Sequence, residues 1–219
     1  MIAIGGNEEK RGQRASILSA FVRRAGGAAA RIVIIPSASV EPEHRGQLYT
    51  RVFKRFGAGE VRVIHVHRGL SDEEREAIRK STGIFITGGD QLRLMEFLRA
   101  TDCVTLIRET VRSGAVYAGT SAGASAASML MIAGDNGEYA AGLGLLPDVI
   151  IDQHFAERVR LPRLIKASKE HRLTGIGIDE NTAVVWHAEG MHVEGAGALT
   201  VVNAEEVLTL TPDPIKAMV

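Results

Sequence analysis

Gly114-Ala115-Val116-Tyr117-Ala118-Gly119-Thr120-Ser121-Ala122-Gly123-Ala124-Ser125-Ala126-Ala127-Ser128 is the stretch that decides how this chain is read. A short apolar run leads into Gly119-Thr120-Ser121-Ala122-Gly123, a Gly-x-Ser-x-Gly pattern, and small residues continue toward Met129-Leu130-Met131-Ile132. The pattern predicts a strand, a sharp turn carrying Ser121, and then a helix. A nucleophilic serine must project from a strained turn, and glycines two positions on either side let strand and helix pass closely. The backbone N–H of Ala122 would open the helix and face a developing oxyanion. The plainer alternative is a small-residue turn where a helix packs on a sheet.

Upstream of this elbow, apolar runs alternate with segments of helical periodicity. Met1–Ile4, Arg31–Ile35, Glu60–Val66, Gly83–Thr87 and Ala115–Ala118 read as strands. Gln13–Ala25, Glu41–Phe56, Ser71–Lys80, Gln91–Arg99 and Thr101–Arg112 read as helices, the third opened by the capping box Ser71-Asp72-Glu73-Glu74. Most of these strands are continuous apolar runs. The fold class is therefore α/β, with a mostly parallel, doubly wound sheet covered on both faces. Reaction sites in such sheets lie beyond the carboxyl ends of strands. Gly5-Gly6-Asn7, Gly88-Gly89-Asp90-Gln91 and the Ser121 elbow all fall there.

Downstream the texture changes. Ala133–Pro147 is glycine-rich and reads as a loop. Val149–Ile151 is a short strand leading to Asp152-Gln153-His154, and Leu161–His171 is a helix with Pro162 in its first turn. Gly175–Ile178, Ala183–Trp186, His192–Val193 and Leu199–Val202 read as strands joined by turns, a β-rich C-terminal extension. The even texture of 219 residues argues for a single domain, 1–219.

Composition narrows the function classes. The chain is 45% hydrophobic and 24% charged with a formal net charge of zero, which gives no reason to expect nucleic acid or an anionic membrane as partner. The one cysteine, Cys103, excludes an internal disulfide and sits at a helix start as a structural thiol. Met1-Ile2-Ala3-Ile4-Gly5-Gly6 carries no basic region and no long apolar run, so no signal peptide is expected and a cytoplasmic protein follows. No His-x-x-x-His or Cys-x-x-Cys spacing points to a metal, and Gly5-Gly6 does not match Gly-x-Gly-x-x-Gly. No cofactor is expected.

A serine nucleophile needs a base, and the base needs an orienting acid. Six of the seven histidines sit in strand or helix patterns as partly exposed surface residues. His154 differs. It ends an apolar strand amid Asp152, Gln153, Arg158, Arg160 and Arg163, a polar density that is costly beside a buried run unless its members meet each other or a ligand. For the acid, Glu180 follows an apolar strand in Gly177-Ile178-Asp179-Glu180-Asn181-Thr182-Ala183, and Asp152 competes with it. The order Ser121, His154, Glu180 departs from the Ser, acid, His order of the α/β-hydrolases. Gly89 would offer a second oxyanion N–H and Gln91 a substrate contact, although Asp90 also suits a plain helix N-cap.

Six segments together resemble the cyanophycinases. They are Gly5-Gly6-Asn7-Glu8-Glu9-Lys10; Ile34-Ile35-Pro36-Ser37-Ala38-Ser39; Thr87-Gly88-Gly89-Asp90-Gln91; Gly119 to Ala124; Asp152-Gln153-His154-Phe155 with Arg158, Arg160 and Arg163; and Gly177 to Ala183. The resemblance runs through nearly the whole chain in order, and the Asp-Gln-His-Phe and arginine block carries it further than the serine motif. Cyanophycinases belong to the peptidase family that also holds aspartyl dipeptidase (peptidase E), and their fold is similar to the class I glutamine amidotransferase domain, which is flavodoxin-like. The resemblance implies a serine-type exopeptidase that cuts cyanophycin, a polyaspartate bearing arginine on each β-carboxyl, into β-aspartyl-arginine dipeptides. It implies Ser121 as nucleophile, His154 as base and Glu180 as acid. Gln91, Asp152, Gln153, Arg158, Arg160 and Arg163 would shape the substrate pocket, arginine forks holding carboxylates and Asp152 or Asp90 meeting a guanidinium. It also implies a homodimer. An aspartyl or isoaspartyl dipeptidase and a non-catalytic small-molecule binding protein on the same scaffold are the alternatives. Two features depart from the family pattern: the Ala133–Gly142 segment is trimmed, and Asn7 stands where a small residue is expected.

Overall fold

The computed structural model describes residues 1–12, 16–134, 137–203 and 206–212. Its centre is a seven-stranded sheet in the order β11-β10-β1-β5-β4-β2-β3. The strands are β1 (Ile2–Ile4), β2 (Arg31–Ile35), β3 (Glu60–Val63), β4 (Gly83–Ile86), β5 (Val116–Thr120), β10 (Thr182–His187) and β11 (Gly190–Gly195). β1 to β5 run parallel, and β10 and β11 close one edge antiparallel. Strands buried on both faces must be apolar at every position, and here alternate residues serve opposite layers. Ile2, Ile4, Ile32, Ile34 and Phe85 pack under helices α1 (Ser16–Arg24) and α2 (Pro42–Arg55). Ala3, Val33, Ile35, Ile84, Ile86 and Tyr117 pack under α3 (Asp72–Lys80), α4 (Gln91–Arg99) and α5 (Cys103–Arg112). The expected start of the first helix at Gln13 lies outside the described residues. Cys103 is fully buried in this second layer, and burial pushes its thiol up to about 12, in keeping with a structural role.

The Gly-x-Ser-x-Gly stretch forms the strand-turn-helix that its sequence predicts, with α6 (Ala122–Ala126) following Ser121. The glycines are there for space. A β-carbon on Gly119 would lie 2.3 Å from the Gly123 carbonyl, and one on Gly123 would lie 2.3 Å from the Ile86 carbonyl oxygen. Tyr117 is fully buried and donates its hydroxyl to the Gly123 carbonyl at 2.6 Å, tying strand to helix.

One expectation is corrected in the segment after the elbow. The elbow helix, whose end the sequence left open, stops at Ala126, and the glycine-rich segment is not all loop. Leu130–Ala133 (β6) pairs antiparallel with Glu138–Ala141 (β7); residues 135 and 136 lie outside the described set. The returning chain takes the helix carbonyls: Leu143 N–H donates to Ala126 O at 2.7 Å and Leu145 N–H to Ala127 O at 2.9 Å. A helix whose last carbonyls are satisfied from outside has no need of another turn.

The expected C-terminal extension divides: β10 and β11 join the central sheet, while β9 (Thr174–Ile178) and β12 (Leu199–Val202) form a second, four-stranded sheet with β8 (Val149–Gln153) and β13 (Val207–Leu210), in the order β13-β12-β9-β8. β13 was not expected from sequence. Helix α7 (Leu161–His171) packs Leu164 and Ala167 against Ile150 and Val202. The end of β8 is anchored by charge. Asp152 is fully buried and accepts from Arg160 Nη1 at 3.0 Å and from Arg163 Nε at 2.6 Å, and Arg160 also reaches the Gln153 side chain at 2.6 Å. Among the described residues no helix is long and apolar enough to cross a membrane.

Removing one member of a buried ion pair strands its partners without a counter-charge. Asp152→Ala should therefore destabilise the fold by roughly 3–5 kcal/mol, read as a fall in the urea midpoint relative to wild type.

Candidate active site

The carboxyl end of β1 holds three separate segments together. Ile4 O accepts the Ser121 N–H at 2.9 Å, Gly5 O accepts the His154 N–H at 2.8 Å, and Gly6 O accepts the Asn181 N–H at 2.8 Å. Three consecutive carbonyls thus hold the serine elbow, the turn after β8 and the turn after β9. Ser121 has φ 52° and ψ −110°, His154 has φ 48° and Asn181 has φ 49°. These are left-handed values that side chains other than glycine adopt at a cost, and such strain persists only where surrounding structure enforces it.

The side chains meet in a line. Ser121 Oγ lies 2.9 Å from His154 Nε2, and His154 Nδ1 lies 2.6 Å from Glu180 Oε1. With a carboxylate on Nδ1, that nitrogen carries the proton and Nε2 presents its lone pair to the serine hydroxyl. Hydrogen bonds from Asn7 and then from His154 hold the Glu180 carboxyl below its ordinary range. Asn7, the departure noted in the sequence, therefore has a partner. Gly6 has φ 107°, and a β-carbon there would stand 2.2 Å from His154 Cε1, so only glycine leaves room for the ring.

The Gly88-Gly89-Asp90 loop lies beside the serine. A β-carbon on Gly88 would be 3.1 Å from Ser121 Cβ, and one on Gly89, at φ 145°, would be 2.0 Å from Ala38 O. The Ala38 carbonyl also accepts the Asp90 N–H at 2.9 Å, which fastens the loop to the turn after β2. Asp90 caps α4 by accepting the Arg93 N–H at 2.9 Å, so the plain N-cap reading holds for its side chain. Ala122 is the first residue of α6, where amides have no intrahelical acceptor.

Two cavities flank Ser121. One, of about 330 Å³, is lined by Gly89, Asp90, Gln91, Gln153, Arg158 and Arg160. The other, of about 360 Å³, is lined by Asn7, Glu8, Lys10, Arg45, Tyr49 and His154 among others. Gln91 is buried and donates Nε2 to the Ile132 carbonyl at 3.0 Å, which links the cleft to β6. Arg163 is bonded to Asp152 and does not line the first cavity. Asp152 does not reach the cleft: it is fully buried with both oxygens engaged, so it backs the wall and does not meet a ligand guanidinium. Asp90 is the exposed carboxylate at the junction of the two cavities.

Sequence reasoning missed Glu8. It is 3% exposed, accepts the Thr120 hydroxyl at 2.6 Å and the Tyr49 hydroxyl, and pairs with Lys10 Nζ at 3.2 Å. It therefore braces the residue before the nucleophile. Its signal was the first of two adjacent acids, Glu8 and Glu9, shortly after a glycine pair, with no periodicity to show which of them turns inward.

The description "Peptidase family S51" matches residues 1–194. The cyanophycinase of Trichormus variabilis is 43% identical over 230 residues, covering 98% of this chain and 76% of that protein. The cyanophycinase of Synechococcus elongatus is 43% identical over 223 residues, covering 94% and 69%. In fold, the chain is similar to a crystal structure of a peptidase from an acI-B1 actinobacterium, with a TM-score of 0.79 at 24% identity over 96% of this chain and 93% of that one. The chain belongs to peptidase family S51 and is a serine-type peptidase.

Proposed function

We propose that this peptidase hydrolyses cyanophycin to β-aspartyl-arginine dipeptides through an acyl-enzyme on Ser121. The observation that carries the reading is the unbroken line Ser121 Oγ, His154, Glu180, with contacts of 2.9 and 2.6 Å at the mouth of an arginine-lined cleft. His154 Nε2 takes the Ser121 proton as Oγ attacks the carbonyl of a backbone aspartyl residue. The oxyanion turns toward the N–H groups of Ala122 and Gly89. His154 then gives its proton to the leaving amine, the β-aspartyl-arginine unit departs, and water deacylates the serine by the reverse path. Glu180 stays ionised throughout, holding the ring and balancing the imidazolium.

Substrate recognition follows from charge. Arg158 lines the cleft and suits the terminal carboxylate of an aspartyl substrate, with Gln91 and Gln153 offering amides beside it. Arg160 and Arg163 act through Asp152, holding the cleft wall in place. Asp90 is the carboxylate positioned to meet a substrate arginine.

The deciding experiment is hydrolysis of purified cyanophycin by wild type and Ser121→Ala, with products read by mass spectrometry. Wild type should release β-aspartyl-arginine, and the variant should lose on the order of 10⁶-fold in kcat. Turnover of short isoaspartyl peptides with an inert polymer would transfer the assignment to a dipeptidase. Release unchanged in Ser121→Ala would remove the nucleophile.

Glu180→Gln should lower kcat about 10⁴-fold with little change in KM, because the amide favours the wrong imidazole tautomer. Its effect on stability has a definite sign. A carboxyl depressed in the folded state contributes fully above the unfolded value of about 4.3, and that contribution disappears as pH falls through the folded value. The difference in denaturation midpoint between wild type and Glu180→Gln should be greatest near neutrality and close in acid.

A further inference from the structure

A second cluster of ligating side chains lies away from the cleft, where the first turn of α2 meets the turn after β3. Glu43 is in that first turn, and His65 and His67 flank Val66 in a one-turn helix, Val66–Arg68. One ligand atom from each of the three side chains lies within 4.8 Å of the other two. None of the three lines either cavity beside Ser121.

The two histidines are held in place, and one of them is not satisfied. Their rings meet edge to face at 5.6 Å, and His67 also packs on Phe97 at 5.6 Å. The Val66 N–H donates to Ser37 Oγ at 3.1 Å, which ties this turn to the one leading into α2. Yet His65 Nδ1 is buried and has no hydrogen-bond partner among the described residues. A buried polar atom left so costs free energy and calls for a partner.

Two imidazoles and one carboxylate form the donor set of zinc-class ions, with a fourth position open to water; magnesium and calcium prefer oxygen throughout. Bonds of about 2.0–2.2 Å put tetrahedral ligands about 3.4 Å apart, so ligand atoms now within 4.8 Å of one another close by at most about 1.4 Å. Glu43 also pairs with Arg68, but both side chains are more than half exposed, and such pairs contribute little. The guanidinium can swing into water and yield the carboxylate. We propose that Glu43, His65 and His67 form a binding site for a zinc-class transition-metal dication, which staples the start of α2 to the turn after β3.

The test is titration of untagged protein with Co²⁺, read by its visible ligand-field absorption and by calorimetry, followed by competition with Zn²⁺. Wild type should bind one equivalent at this site in tetrahedral form and release it to Zn²⁺. That equivalent should be lost in the His65→Ala/His67→Ala double variant and weakened about tenfold in Glu43→Gln. Retained peptide hydrolysis would show that the double variant is folded. Arg68→Ala removes the competing cation and should tighten binding several-fold, an effect that general damage would not produce. Absence of Co²⁺ binding, equal binding by the double variant, or an affinity unmoved by Arg68→Ala would each overturn the proposal.

Discussion

Everything in the cleft depends on the last turn of a three-residue strand. β1 is buried inside the sheet, between β5 on one side and β10 on the other. Its end supplies carbonyls to Ser121, His154 and Asn181 in succession. Backbone hydrogen bonds at a sheet's carboxyl edge are rigid because the strands behind them cannot shift without breaking a packed core. The line from serine to histidine to glutamate is therefore set by main-chain geometry first and by side-chain contacts second. The left-handed backbone at all three anchored residues is the strain that this rigidity sustains.

Around that anchor, two buried carboxylates divide the structural work. Glu8 braces Thr120 and Tyr49 beneath the elbow, and Asp152 gathers Arg160 and Arg163 behind the cleft wall. Each is withdrawn from solvent and each satisfies several donors, the condition under which a buried charge is tolerated. The pattern explains why an arginine-rich segment can stand beside an apolar strand without repelling itself. Of its three arginines, Arg160 and Arg163 are drawn inward by Asp152, while Arg158 is left on the exposed side of the turn.

Glycine is used where a close approach demands it. Gly119 and Gly123 let the elbow helix lie on its strand, and Gly6 leaves the space that the His154 ring fills. A methyl group at any of the three would meet backbone or ring atoms well inside contact distance. The same economy governs the short elbow helix, which stops where the returning 142–146 segment caps its carbonyls.

Local chemistry alone determined the parallel α/β core, the strand-turn-helix at Ser121 and the polar cluster around His154. Apolar runs buried on both faces, glycine spacing and capping residues are short-range signals, written where they act. Tertiary structure decided the rest. It ended the elbow helix at Ala126 and paired β6 with β7. It withdrew Asp152 from the cleft and brought Asn7 to Glu180 and Glu8 to Thr120. It also gathered Glu43 with His65 and His67, whose spacing matches no local metal motif. Each of these depends on segments far apart in the chain meeting at one place. Periodicity in a single sequence shows which face of an element is buried, but not which distant group will meet it there.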